Sequence, residues 1–388
     1  MRLLLIASIV FPATVALAVA PLPADAVESV RVHQLVDRME DAVERADFGA
    51  YMALIDTGDP VFATEQRAWA ADLLSHPVAE IDFDIAADEP VRLLDDGSAA
   101  ARIEIAWRLP GGEARSFAYP ALFRPVGSPR GQWLFTGRAW DIALLDTPGV
   151  RVYADAEHEE LARLALSRVP ELRDTIAADF GRDLSGADLQ EVVVKIYPDM
   201  GSLQGSIYLS YTDPLSGWNE PGESIKIVGR EDLEQARLDP LLAHEIGHAV
   251  SFEFGPQITD APWWALEGVA EVAAGLFRDS WRSKHSRIAE MARSDNLREW
   301  DLLADFRGEA NNHMLHVYLQ GWSMVDYIDR TFGSDARNAW FTAMGRGQSL
   351  DSATSDALGI DFTELDAQWR DHLRASASDE RTGDGKTE

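Results

Sequence analysis

Residues 239–250 read Asp239-Pro240-Leu241-Leu242-Ala243-His244-Glu245-Ile246-Gly247-His248-Ala249-Val250. Asp239 suits an N-cap, Pro240 suits the first helical position, and Gly255 is a natural stop. The spacing therefore predicts a helix of about four turns. His244 and His248 stand four apart, so they project from one face and can grip one ion from the same side. Glu245 lies one step round, close enough to touch a water held at that ion without being a ligand. Leu241, Leu242, Ala243, Ile246, Ala249 and Val250 make most of the helix apolar, which predicts burial. Buried histidines around a buried Glu need partners, and a divalent cation would be one.

A second piece follows. Pro262-Trp263-Trp264-Ala265-Leu266-Glu267-Gly268-Val269-Ala270-Glu271 opens another predicted helix, and eighteen residues separate His248 from Glu267. H-E-x-x-H, this gap, and Glu in a W-x-x-E-G-x-A context resemble the gluzincin peptidases, particularly their aminopeptidase-like branch. The resemblance implies His244, His248 and Glu267 as ligands of one Zn2+ per chain, with Glu245 as general base. Two His and one carboxylate leave the fourth zinc position open for water, the catalytic arrangement. Zinc acidifies that water, and Glu245 would take its proton as it attacks a peptide carbonyl. Glu271 follows Glu267 by four and is expected to accept from the outer nitrogen of His244. The alternative for Glu271 is an ordinary solvated carboxylate. Trp263 and Trp264 read as core or cleft wall.

The developing oxyanion also needs a donor. Tyr318, in Tyr318-Leu-Gln-Gly-Trp-Ser-Met-Val325, resembles the corresponding helix of related peptidases and is the first choice, with His316 the runner-up. Asn312, His313 and Tyr327 lie in the same region, whereas His33, His76, His158, His285 and His372 are isolated and read as surface residues. No G-x-M-E-N-type segment, which grips a free substrate amine in the aminopeptidases, is found upstream. Ser224–Val228 reads as an edge strand on which an extended peptide would add as a further strand. Two rivals remain: a zinc-binding scaffold without turnover, and a metal-dependent hydrolase of cell-wall cross-links.

Working outward, the predicted fold class is α+β. A helical pattern runs from about Val27 to Ile55, and strand-like runs take over after Pro60, at Glu80–Ala86, Ala101–Leu109, Ser116–Phe123 and Gln132–Trp140. A helix followed by a curled antiparallel sheet resembles the nuclear-transport-factor-two-like cone, and residues 27–146 are assigned to such an accessory domain. The turn cluster Asp146-Thr147-Pro148-Gly149 marks the boundary. Residues 147–375 are expected to form the gluzincin-type domain. It starts with a strand at Val150–Tyr153, a helix from about Ala156 to Phe180 and a buried strand at Val192–Tyr197. A Gly-, Ser- and Pro-rich loop spans Ser202–Pro221, and the chain is mostly helical after Asp239. The polar residues 376–388 read as a disordered tail.

The chain has 388 residues, 46% hydrophobic and 26% charged, enough to bury a sizeable core. Its net charge of −30 argues against nucleic acid and against anionic lipid surfaces. No EF-hand loop is present. With no cysteine, disulfides, thiolate metal sites and a Cys nucleophile are excluded. Met1-Arg2, the apolar run Leu3–Ala20, and the small-x-small triplets Ala18-Val19-Ala20 and Ala24-Asp25-Ala26 predict a signal peptide within residues 1–26, removed near residue 20 or 26. An uncleaved anchor is the alternative. The expected mature protein is secreted or periplasmic, acts on peptide or protein, and has no stable membrane insertion.

Overall fold

A computed structural model describes residues 24–127, 131–230, 233–278 and 281–383. The fold is α+β, with 54% helix and 17% strand. The expected signal peptide lies outside the described residues up to position 23, and Ala24–Ala26 form the first turn of α1 (Ala24–Glu44). α1 and the short α2 (Phe48–Met52) together occupy the expected first helical region. α3 (Pro60–Ser75) corrects the expectation of strands directly after Pro60. Asp59 accepts from the backbone N–H groups of Val61 and Phe62, and Pro60 pre-sets the first helical φ. Ala63, Trp69, Ala70 and Leu73 then share the buried face.

Sheet one is antiparallel in the order β1 (Glu80–Ile85), β3 (Ala99–Arg108), β4 (Ala114–Val126), β5 (Gln132–Arg138), with β2 (Arg92–Leu93) pairing β3. Ile103, Ile105 and Trp107 alternate inward along β3, and a register shift at Leu122/Phe123 bends β4 against β5. α1, α2 and α3 fill the concave side of this half-barrel through Leu35, Met39, Tyr51 and Trp69.

Sheet two begins at β6 (Ile142–Leu144), which pairs antiparallel with β7 (Val150–Ala154), so the change of sheet falls before the Asp146–Gly149 turn. α4 (Glu159–Asp179) packs on β6 and β7. The short α5 (Ala187–Gln190) leads into β8 (Val192–Tyr197), parallel to β7 and buried along its whole length. α6 (Met200–Ile207) occupies part of the expected 202–221 loop, capped by Asp199, whose carboxylate accepts from the Ser202 N–H. β9 (Gly217–Trp218) and β10 (Ile225–Val228) complete the order β6-β7-β8-β10-β9. The expected edge position of β10 is therefore corrected: β8 flanks it on one side and β9 on the other, leaving β9 as the edge.

The remaining described chain is helical. α7 (Gln235–Phe252) starts four residues before Asp239. Instead of capping the helix, Asp239 pairs with Arg168 of α4 at 3.0 Å, and Pro240 sits inside α7. α8 (Trp263–Gly275), α9 (Trp281–Arg293) and α10 (Met314–Phe332) follow, then α11 (Ser334–Gly345), α12 (Leu350–Leu358) and α13 (Phe362–Gly383). Residues 376–383, expected to be disordered, continue α13. Ala, Glu and Arg there support a helix, and no Gly or Pro interrupts before Gly383. Residues 384–388 lie outside the described residues. None of the described helices is long and apolar enough to cross a membrane.

Two close crossings set the functional region. A Cβ on Gly247 of α7 would meet Ala270 Cα of α8 at 2.7 Å, and one on Gly321 of α10 would meet the Trp264 carbonyl oxygen of α8 at 2.1 Å. Only glycine lets both neighbours approach α8 so closely.

Candidate metal centre

α7 and α8 bring His244, His248 and Glu267 together. One ligand atom from each lies within 4.8 Å of the others. Glu267 Oε2 is 3.3 Å from His244 Nε2 and 3.7 Å from His248 Nε2. The other oxygen, Oε1, accepts a 2.8 Å hydrogen bond from the Trp263 indole N–H one helical turn back. Oε2 is buried and accepts no hydrogen bond of acceptable geometry. A carboxylate oxygen in that condition, aimed at two imidazole nitrogens, fits a cation.

The surroundings are equally specific. Glu271 Oε1 lies 3.2 Å from His244 Nδ1, as the i, i+4 spacing from Glu267 predicts. Its other oxygen accepts from Lys284 of α9, with Arg278 at 3.8 Å. This grip fixes the ring so that Nε2 points at the ligand cluster. Burial opposes ionisation of Glu267, but His248, His244 and the Trp263 N–H outweigh it and hold its pKa below the ordinary value. Burial likewise opposes ionisation of Glu271, yet His244 and Lys284 hold its pKa far below that range. His248 is pushed down to about 4, mainly by burial. Burial opposes ionisation of His244 too, but Glu267 and Glu271 on either side of its ring outweigh it and raise its pKa well above the ordinary value, so a divalent cation entering here would displace that proton.

Glu245 is buried beside this cluster and faces the cleft. Burial pushes its pKa up to about 7, partly offset by His244. Its carboxylate lies against the backbone of β9, where a Cβ on Gly217 would meet Oε1 at 2.3 Å. Strand and base are thus held edge to side. Tyr318 of α10 stands on the opposite wall, with its ring 5.9 Å from that of His244 and 6.3 Å from that of Trp263. Burial, with Glu267 and Glu245 nearby, raises its pKa well above the ordinary value, so the phenol remains a donor at neutral pH.

These groups line a cleft of about 1210 Å³. Trp218, Phe306 and Tyr211 form an aromatic cluster on one side, with Tyr211 stacked on Phe306 at 5.5 Å. His316 is not brought to this cleft: its Nε2 is 3.0 Å from the Asn296 carbonyl oxygen, a satisfied structural contact. Among the histidines read as surface residues, His33, His76 and His372 are exposed. His158, by contrast, is largely buried against Gly229, and His285 packs edge-on to Trp322 at 4.8 Å.

Sequence reasoning missed two participants. Trp263 was read as wall, although an indole four residues before a candidate ligand on one helix is a signal for a positioning hydrogen bond. Glu220 was not singled out. It lies in the cleft two residues after β9, and burial together with Glu223 pushes its pKa up to about 7. Gly217-Trp218-Asn219-Glu220 carries Gly and Glu at the spacing of the G-x-M-E-N pattern but lacks its Met and Asn.

No protein-family model and no curated protein sequence matches the chain.

Proposed function

We propose that the chain is an exported zinc-dependent peptidase of the gluzincin type that hydrolyses peptide or related amide bonds. One observation carries the reading: three metal-ligating side chains converge on a cleft, one of them with a buried oxygen that no donor satisfies. His244, His248 and Glu267 would hold the metal, and a zinc ion bound there supplies Lewis acidity toward a carbonyl oxygen and toward water. Glu245 accepts a proton from the attacking water as the new C–O bond forms, then delivers it to the amide nitrogen as the C–N bond breaks. Tyr318 donates a hydrogen bond to the oxygen that becomes negative. Trp263 and Glu271 hold Glu267 and His244 in place. The free edge of β9 beside Glu245 offers backbone groups to an extended substrate, so the strand-addition role passes from 224–228 to 217–218.

Glu220 favours a second reading of the same chemistry, removal of N-terminal residues, because a cleft carboxylate with no side-chain partner among the described residues suits a substrate ammonium group. Export rests on the apolar N-terminal segment described from the sequence.

The test uses purified chain, metal analysis, and a peptide library with free and acetylated N-termini alongside cell-wall fragments. One zinc per chain, lost on chelation together with peptide cleavage, is expected. Glu245→Gln should keep the zinc and lose about 10²-fold or more in kcat, the range for a general base. Cleavage restricted to free N-termini selects the exopeptidase reading. Wild type no faster than Glu245→Gln on every peptide would leave a metal-binding scaffold, and turnover of cell-wall fragments alone would move the substrate class.

A further inference from the structure

A second cavity, of about 330 Å³, lies far along the sequence from the metal ligands, between the two sheets. One wall is the concave face of sheet one, through Ile105, Phe117, Tyr119 and Phe135, with α3 closing the side. The other is a face of sheet two, where Arg151 and Tyr153 of β7 stand beside Val193 and Lys195 of β8. The volume is in the range that encloses a small organic ligand, and the lining is rich in aromatic rings.

The polar groups facing this cavity are unevenly satisfied. Its acidic groups are already engaged. Asp59 pairs with Arg151 at 2.6 Å, and Glu65 takes Lys195, Lys226 and Ser224. Gln66 Oε1 is taken by the Tyr51 hydroxyl at 2.7 Å. Donors are left over. Arg151 Nε is buried without a hydrogen-bond partner, and among the described residues none accepts from the Tyr119 hydroxyl or from the Gln66 amide N–H groups. Burial holds the Tyr119 pKa above its ordinary value, which keeps the hydroxyl a donor. The basic side chains that line the cavity are each paired with a carboxylate as well, Arg138 with Asp155, Arg151 with Asp59 and Glu191, and Lys195 with Glu65, so the unmet demand is that of single N–H and O–H groups. Arg138, paired with Asp155, lies 5.0 Å from the Trp140 ring. Aromatic walls with spare donors, one of them on a guanidinium, call for a flat apolar body carrying an acceptor group.

We infer that this inter-sheet cavity is a binding site for a small planar aromatic carboxylate, its rings between Phe117, Phe135 and Tyr119 and its carboxylate toward Arg151 and Tyr119. The site is independent of the metal centre and stands whether or not the peptidase reading does.

Calorimetric titration of the full-length chain with 2-naphthoate and indole-3-acetate tests it, with methyl 2-naphthoate as the uncharged comparison. At least one carboxylate should bind at one per chain, about tenfold or more tighter than the ester. Ser206→Phe, which fills the cavity from α6, should abolish binding while the thermal midpoint is retained. Tyr119→Phe and Arg151→Met should each weaken it about tenfold. Should Arg151→Met fail to fold, Tyr119→Phe and the ester carry the comparison. Glu267→Gln should bind as the wild type does, separating this cavity from a carboxylate captured at the metal. Absence of binding by both carboxylates up to millimolar concentration, or binding that survives Ser206→Phe, overturns the proposal.

Discussion

At the scale of single residues, the candidate metal centre depends on side chains outside the His244, His248 and Glu267 group itself. Trp263 occupies one oxygen of Glu267 and leaves the other for the cluster, while Glu271, itself gripped by Lys284, turns the His244 ring. Of these contacts, only that of Glu271 with His244 is legible from the i, i+4 spacing; the Trp263 bond and the Lys284 grip from α9 are set by side-chain packing. The role of Tyr318 is tested by Tyr318→Phe. On the proposed role as donor to the developing oxyanion, the substitution should lower kcat by about 10²- to 10³-fold. Zinc content should stay unchanged, because the proposed ligands are His244, His248 and Glu267. Steady-state kinetics beside metal analysis reads both. A variant with unaltered kcat would remove Tyr318 from the chemistry.

At the scale of elements, α8 is the hub, with α7 against one side and α10 against the other. The apolar periodicity of α7 was legible because a helix records its buried face every three to four residues. Its start was not, because Asp239 chooses between capping its own helix and pairing with Arg168, and α4 lies 71 positions away in sequence. The strand facing the cleft was misassigned for a related reason. β10 has the longer apolar run, yet the two-residue β9 wraps outside it, and so short a strand leaves no periodic signal. α3 was missed although Asp59-Pro60 is a good helix start, since the alternating runs that follow drew the reading toward strand. The α8–α10 crossing gives a direct test. Gly321→Val places carbon where the Trp264 carbonyl oxygen stands, and a backbone atom cannot swing aside. A loss of about 1–3 kcal/mol in urea unfolding is expected, with weakened zinc binding, because α8 carries Glu267. Wild-type stability would show that the crossing is looser than the geometry requires.

At the scale of the whole molecule, a buried ionic cluster joins α3 to sheet two. Glu65 of α3 receives Lys195 of β8, Lys226 of β10 and the Ser224 hydroxyl. Trp69 Nε1 donates to the Gly205 carbonyl at 3.1 Å and Trp107 Nε1 to that of Leu209 at 3.2 Å, so both halves share one hydrogen-bonded seam. Burial opposes ionisation of Glu65, but the two lysines outweigh it and bring its pKa from 4.5 down to about 2. A carboxylate with a lowered folded-state pKa stabilises the fold above its unfolded value, and that contribution is lost as pH falls from about 4.5 through about 2. The difference is on the order of 3 kcal/mol. Glu65→Gln should therefore destabilise the chain most at pH 7 and progressively less toward pH 3, measured by urea unfolding of both proteins. An equal difference at the two pH values would show that Glu65 carries no linked charge.

The sequence by itself determined what repeats over a few residues: the α+β order of most elements, the shared face of His244 and His248, and the pairing of Glu267 with Glu271 one turn on. Those features follow from backbone period, which each segment carries within itself. Only the tertiary structure decided that Glu65 of α3 would meet two lysines from sheet two, that β9 would border the cleft, and that a second cavity would form where the sheets face each other. Such outcomes depend on which distant surfaces pack together, and packing is chosen by the summed fit of many side chains that are not neighbours in the chain.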